Sequence, residues 1–121
     1  IISYLCQKIY TIEILNKLFN HAKKNIDKLE IKNVIHKLGN GANGWGEKIL
    51  FDAIIVSAAS EKIPLKLLQN LKNNGKLIIP IKYSSGNQKL KLVKKTSENS
   101  FNQKELFDVK FVPLLNENIE H

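Results

Sequence analysis

Residues 51–81, FDAIIVSAASEKIPLKLLQNLKNNGKLIIPI, constrain the fold of this chain more than any other stretch. Phe51-Asp52-Ala53-Ile54-Ile55-Val56 is a continuous apolar run interrupted by one acid. A run without polar alternation suits a parallel strand covered on both faces. Ser57-Ala58-Ala59-Ser60 then supplies small side chains at the strand's carboxyl end. That end is where open α/β sheets bind their ligands. Pro64 in a first helical turn, Asn73-Asn74-Gly75 as a stop and Leu77-Ile78-Ile79-Pro80 as a second buried strand complete a β-α-β unit.

The flanking sequence extends this alternation. Residues 1–6 read as the end of a helix, with Ile1, Ile2, Leu5 and Cys6 on one apolar side. Residues 8–13 alternate and are rich in β-branched and aromatic types, which predicts a strand. Residues 16–29 predict a helix, because Leu15, Leu18, Phe19, Ala22, Ile26 and Leu29 recur at helical spacing. Residues 33–38 form a short strand, and the glycine-rich residues 39–46 leave no room for a helix. Beyond the central unit come a turn at residues 84–87, a half-solvated strand over 88–95, a polar connection over 96–102 and a last strand over 105–112. The order α-β-α-β-β-α-β-β-β predicts a single α/β domain over residues 1–121, with an open, mostly parallel sheet and an antiparallel edge.

Composition narrows the partners. The net charge of +8 comes entirely from lysine, with no arginine, and the lysines are scattered along the chain. Arginine is the usual reader of guanine edges and the bidentate binder of phosphate. The balance therefore favours a solvated lysine surface and no nucleic-acid partner. No apolar run reaches the length of a membrane span, and residues 1–6 lack a signal-peptide pattern. One cysteine, Cys6, cannot form an internal disulfide, which fits a reducing cytoplasm. The chain has no methionine and begins at Ile1, so the expectation is a fragment or processed product.

Two places could carry chemistry. Glu13 closes the first strand, where a carboxylate can accept both hydrogens of a ribose diol, or else cap the helix that follows. Gly39-Asn40-Gly41 follows the next strand; its amide could pair with a purine edge while the backbone approaches closely, or it is simply a turn. Asp52 reads as structural. His21 and His36 have no second ligand at metal spacing, so no metal site is expected. Ser57 and Ser60 lack a nucleophile elbow, and neither a dinucleotide fingerprint nor a P-loop occurs.

These residues together resemble the protein-L-isoaspartate O-methyltransferase family. The resemblance rests on Tyr10-Thr11-Ile12-Glu13, Leu38-Gly39-Asn40-Gly41 with Gly44-Trp45, residues 51–59, Ile63-Pro64, residues 71–81 and Phe111-Val112-Pro113-Leu114. It implies a Rossmann-like methyltransferase sheet that uses S-adenosyl-L-methionine to methylate the α-carboxylate of L-isoaspartyl residues in damaged proteins. It implies that Glu13 binds the cofactor ribose and that Asn40 and Gly41 flank adenine. It further implies that Ser57, Ala58 and Ala59 wall the reaction site, and that Val112, Pro113 and Leu114 border the substrate peptide. Two departures accompany it. The family usually has Asp where this chain has Asn40. The family's N-terminal third, with its Thr-Ser-x-Pro segment, first strand and glycine-rich cofactor loop, has no counterpart here, so no catalytic serine is expected within the chain. A monomer in the cytoplasm is expected. The alternatives are another methyltransferase of this fold acting on a small molecule or RNA, and a non-catalytic relative.

Overall fold

The computed structural model describes residues 6–46 and 49–114. The chain divides into a first unit ending at Gly41 and a second beginning at Ala42. The helix expected over residues 1–6 lies outside the described residues, except for Cys6. That residue is exposed and not part of a core. Its carbonyl accepts a hydrogen bond from Asn33 Nδ2 at 3.0 Å, which fixes the backbone and leaves the thiol to solvent.

The first unit is one β-α-β turn of chain: β1 (Ile9–Glu13), α1 (Asn16–Lys28) and β2 (Val34–Leu38). The strands pair in parallel from Ile9↔Val34 to Glu13↔Leu38. The apolar stripe of α1 is narrower than its sequence suggests. Phe19, Ala22 and Ile26 are half-buried, whereas Leu18 and Leu29 are exposed. A sheet two strands wide can cover only one row of a helix. Beneath that row Thr11 Oγ1 lies 2.5 Å from His36 Nδ1, and the Phe19 ring packs on the His36 ring at 4.4 Å.

α1 ends in a Schellman motif. Ile31 N donates to Ile26 O and Glu30 N donates to Asp27 O, both at 3.1 Å, with Glu30 at φ 56. Glycine is the usual residue there because a Cβ disfavours that conformation. Glu30→Gly is therefore expected to stabilise the chain by about 0.5–1 kcal/mol, read as a rise in the midpoint of urea unfolding.

The second unit contains β3 (Phe51–Ile55), α2 (Leu65–Gln69), β4 (Leu71–Lys82), β5 (Gln88–Ser97) and β6 (Ser100–Val109). They form one sheet in the order β3-β4-β5-β6, parallel between β3 and β4 and antiparallel beyond. The α/β architecture of parallel crossover pairs with an antiparallel edge is thus present. Its core is Leu71, Leu77, Ile79, Ile81 and Val93, with Leu68 of α2 packed against it.

Several expected boundaries shift. The β4 strand begins at Leu71, six residues early, because Asn73-Asn74-Gly75 is a bulge within the strand and not a helix stop. The register passes from Phe51↔Leu71 directly to Ala53↔Lys76, so the four residues 72–75 of β4 stand against Asp52 alone. Asn74 takes φ 67 there, and a Cβ on Gly75 would lie 2.7 Å from the Lys72 carbonyl oxygen. Pro64 is the N-cap of α2 and lies just before its first turn. The glycine-rich loop admits a single 3-10 turn over Gly41–Asn43. The last hairpin is tighter than the polarity of residues 96–102 implies. The β5 and β6 strands run on to a turn at Glu98 and Asn99, since polar side chains are at home on the exposed faces of an edge strand. Finally, β3 is not covered on both faces: Ala53 and Ile55 are exposed while Ile54 packs on the core.

On the core side, Tyr83 donates to Glu105 Oε1 at 2.6 Å and Lys89 Nζ lies 3.6 Å from Oε2. The tyrosine hydrogen bond, with Lys89 and Lys91 nearby, holds the Glu105 carboxyl below its ordinary value. A lowered carboxyl contributes stability above its unfolded pKa and loses it as pH falls through the folded one. Tyr83→Phe should accordingly move the Glu105 titration upward, as followed by side-chain NMR. No helix among the described residues is long and apolar enough to cross a membrane.

Candidate functional site

The carboxyl ends of β1 and β2 lie side by side because the strands are parallel and in register. Glu13 is the last residue of β1, opposite Leu38. Gly39 N donates to the Glu13 carbonyl at 2.9 Å, so the Gly39-Asn40-Gly41 turn leaves the sheet beside Glu13. Sequence reasoning named these residues separately; the parallel ladder brings them together.

Their side chains differ in role. Glu13 Oε1 accepts the N–H of Leu15, the N-cap residue of α1, at 3.1 Å, while Leu15 itself makes no side-chain cap. The helix-capping alternative is therefore realised at one oxygen. Oε2 has no hydrogen-bond partner among the described residues. Asn40 is buried at 7% exposure. Gly41 is open: a Cβ there would meet nothing within 4 Å. The chain's own packing does not require glycine at that position, and the backbone is free for close approach by a ligand. A carboxylate oxygen available for a diol, beside an approachable backbone, fits an adenosine-type group.

A second cluster forms within the other unit. Past β3, Ala59 N donates to Val112 O at 2.7 Å and Leu114 N donates to Ala59 O at 2.6 Å, a parallel bridge between Ala59 and Pro113. Ser60 continues it on the other side: Ser60 N donates to Pro80 O at 3.0 Å and Lys82 N to Ser60 O at 2.8 Å. The small-residue turn Ser57-Ala58-Ala59 and the segment Val112-Pro113-Leu114 are thereby clasped to each other. Ala59 is buried, while Ser57, Val112 and Pro113 are exposed. The last strand was expected to reach Val112; it stops at Val109, and this frees residues 112–114 to pair with Ala59.

Two supporting residues had escaped sequence reasoning. The Gln88 side chain grips the Phe111 backbone at both ends, accepting from Phe111 N at 2.7 Å and donating to Phe111 O at 3.2 Å. It thereby aims the 112–114 segment. Asn70, only 3% exposed, accepts from Trp45 N at 3.1 Å and donates to the carbonyls of Gly46 and Ile49. The only hint of this in the sequence is a polar residue directly after the apolar helix. Gly44 adopts φ 68, and a Cβ there would sit 2.3 Å from Asn70 Oδ1. Gly44→Ala should cost about 1–3 kcal/mol of stability, measured by thermal unfolding. Asp52, by contrast, is exposed and pairs with Lys72 at 3.3 Å, a structural contact of little energetic weight. Among the described residues no group of three His, Cys, Asp or Glu side chains could hold a metal.

Comparison with known proteins gives this geometry a context. The family model described as protein-L-isoaspartate(D-aspartate) O-methyltransferase matches residues 2–119. A Parvibaculum lavamentivorans protein-L-isoaspartate O-methyltransferase is 42% identical over 117 residues, covering 95% of this chain and 52% of that protein. A Polaromonas protein-L-isoaspartate O-methyltransferase 2 is 37% identical, covering 94% and 54%. The chain thus spans about half the length of these relatives. Among solved structures, a protein-L-isoaspartate O-methyltransferase superposes with a TM-score of 0.83 at 27% identity, over 93% of this chain and 35% of that one. A Plasmodium falciparum protein, described as a candidate member and solved in complex with S-adenosyl-L-homocysteine, gives 0.76 at 32% identity, over 91% and 53%. The fold is that of a Rossmann-like methyltransferase, and the chain belongs to the protein-L-isoaspartate(D-aspartate) O-methyltransferase family.

Proposed function

We propose that this chain is part of a cytoplasmic, monomeric repair enzyme, one methyltransferase domain, that methylates the α-carboxylate of L-isoaspartyl residues in damaged proteins with S-adenosyl-L-methionine. The observation that carries this reading is the adjacency of Glu13 to Gly39-Asn40-Gly41 at one sheet end, within a chain of this family. Glu13 Oε2 would accept the ribose diol, and Asn40 and Gly41 would border adenine. Asn40 retains a carbonyl acceptor where the family's usual aspartate brings a charge. Ser57, Ala58 and Ala59, held against Val112, Pro113 and Leu114, would border the substrate peptide.

The chemistry asks little of these side chains beyond placement. The cofactor supplies an electrophilic sulfonium methyl. A substrate carboxylate, ionised at neutral pH because its pKa lies near ~4, needs in-line alignment more than a base. The small residues leave room for a peptide.

The test is methyl transfer to an isoaspartyl peptide. An enzyme of the relatives' full length should label the isoaspartyl peptide and not its aspartyl isomer. Residues 1–121 alone should give near-background transfer, and near-normal turnover by them would contradict the reading. In the full-length enzyme Glu13→Ala should weaken S-adenosyl-L-homocysteine binding about tenfold or more, as expected for loss of hydrogen bonds to a charged acceptor. Calorimetry measures it, and unchanged affinity would remove Glu13 from the cofactor site.

A further inference from the structure

The border that residues 112–114 give the proposed site does not end at Val112. Just upstream, the same stretch of chain forms one lip of a depression of about 360 Å³. Asp108, Val109 and Lys110, at the end of β6, line one side of it. Gly86, Asn87 and Gln88, at the turn between β4 and β5, line the other. None of the residues assigned to the proposed methyl-transfer site lies among them.

The rim is set by the chain's own hydrogen bonds. Tyr83 N donates to Asn87 O at 2.8 Å and Gly86 N donates to Tyr83 O at 2.9 Å, which closes the turn. A Cβ on Gly86 would meet nothing within 4 Å, so the mouth is open on that side. Gln88 joins the depression to the 112–114 segment. It lines the wall and also holds the Phe111 backbone at both ends, and that backbone leads directly to the bridge between Pro113 and Ala59. From Lys110 to Pro113 an extended chain covers about 10 Å.

The lining suits a polar occupant. Asn87, Asp108 and Lys110 are exposed, and neither Asp108 nor Lys110 has an ion-pair partner among the described residues. Lys89 stands across the strand from Asp108, but its ammonium lies 3.6 Å from Glu105 Oε2 instead. A carboxylate and an ammonium on one lip match the amides and polar side chains of an extended peptide, which offers a donor and an acceptor at nearly every residue.

We propose that this depression is a subsite for the polypeptide flanking the isoaspartyl residue, so that a protein substrate lying along residues 112–114 continues past Phe111 into it. The occupant is a polar, extended stretch about three residues from the reacting side chain. The inference rests on the proposed methyl transfer and assigns a place to a part of the substrate which that reaction leaves unplaced. A small isoaspartyl compound reaches the 112–114 border alone; a protein chain reaches the border and the depression.

The test uses the full-length enzyme and a set of isoaspartyl peptides. One is short, with a single residue on each side of the isoaspartate. The others add about three polar residues on the amino side or on the carboxyl side. At least one lengthened peptide should show a KM about tenfold below that of the short one. Its kcat should change little, because the added contacts are the same in ground and transition states. Asn87→Trp fills the depression from an exposed turn position and should erase the difference between the peptides. Asp108→Ala is a smaller change and should shrink the difference, which keeps the test open if the tryptophan variant does not fold; circular dichroism checks both variants. Equal KM values for all the peptides would overturn the proposal. A length effect that survives undiminished in the folded variants would overturn it as well, by assigning the flank to another surface. Transfer to every peptide without a length effect would count against the subsite alone, whereas no transfer to any of them would count against the proposed reaction itself.

Discussion

Leu77→Ala is expected to destabilise the second unit by about 2–5 kcal/mol. Leu77 is fully buried in β4, paired with Ile54 on one side and Val93 on the other. Truncation removes a side chain from the centre of a sheet whose two neighbours are held by hydrogen bonds and cannot collapse inward. The core it leaves is small, with only Leu71, Ile79, Ile81 and Val93 as its other buried members. Domains of this size have total stabilities of about 5–15 kcal/mol, so the variant should be partly unfolded at modest urea concentrations. Urea titration followed by circular dichroism checks it. The exposed Ile55→Ala serves as the reference and should shift the midpoint little. Equal shifts for the two would refute the assignment of the core.

Asn70→Ala should cost about 2–3 kcal/mol, from three side-chain hydrogen bonds worth roughly 1 kcal/mol each. The Trp45 amide and the carbonyls of Gly46 and Ile49 would all lose a buried partner at once. The effect should be local as well as global. Trp45 fluorescence should shift red and its amide should exchange faster, while amides in the β5–β6 hairpin should change only with global stability. Asn70→Asp separates the two halves of the network, since it keeps the acceptor for Trp45 N and loses the donor to both carbonyls. A Trp45 amide that exchanges no faster in Asn70→Ala would show that the side chain does not organise the loop.

These two residues mark where sequence is informative and where it is not. Leu77 sits in an apolar run, and burial follows from pattern. The parallel pairs, the two crossover helices and the antiparallel edge all follow from apolar periodicity and turn residues. The alternating strand of residues 88–95 was likewise legible, although β5 runs two residues further. Asn70 carries no comparable signal, because its partners are backbone groups 21 to 25 positions away. The bulge at residues 72–75 was hidden for a related reason. Asn-Asn-Gly favours positive φ wherever it falls, and only pairing with β3 decides whether it ends a helix or swells a strand. The exposure of Ile55 and Ala53 could not be read from their own run, since burial on the second face depends on chain elsewhere. At the candidate site, residue types pointed to Glu13, to Gly39-Asn40-Gly41 and to the Ser57-Ala58-Ala59 turn. The clasp between Ala59 and Pro113 could not be read, because it is made entirely of backbone hydrogen bonds.

That clasp has a consequence for the order in which the structure forms. Closing residue 59 against residue 113 requires the whole β4–β5–β6 meander to be in place first, because loop entropy is recovered only by contacts already made. The Ser57-Ala58-Ala59 turn is therefore completed last and opened first. Its amides, at Ala59 and Leu114, should be released in native-state hydrogen exchange well before those of β4, so the clasp can part without unfolding the sheet beneath it.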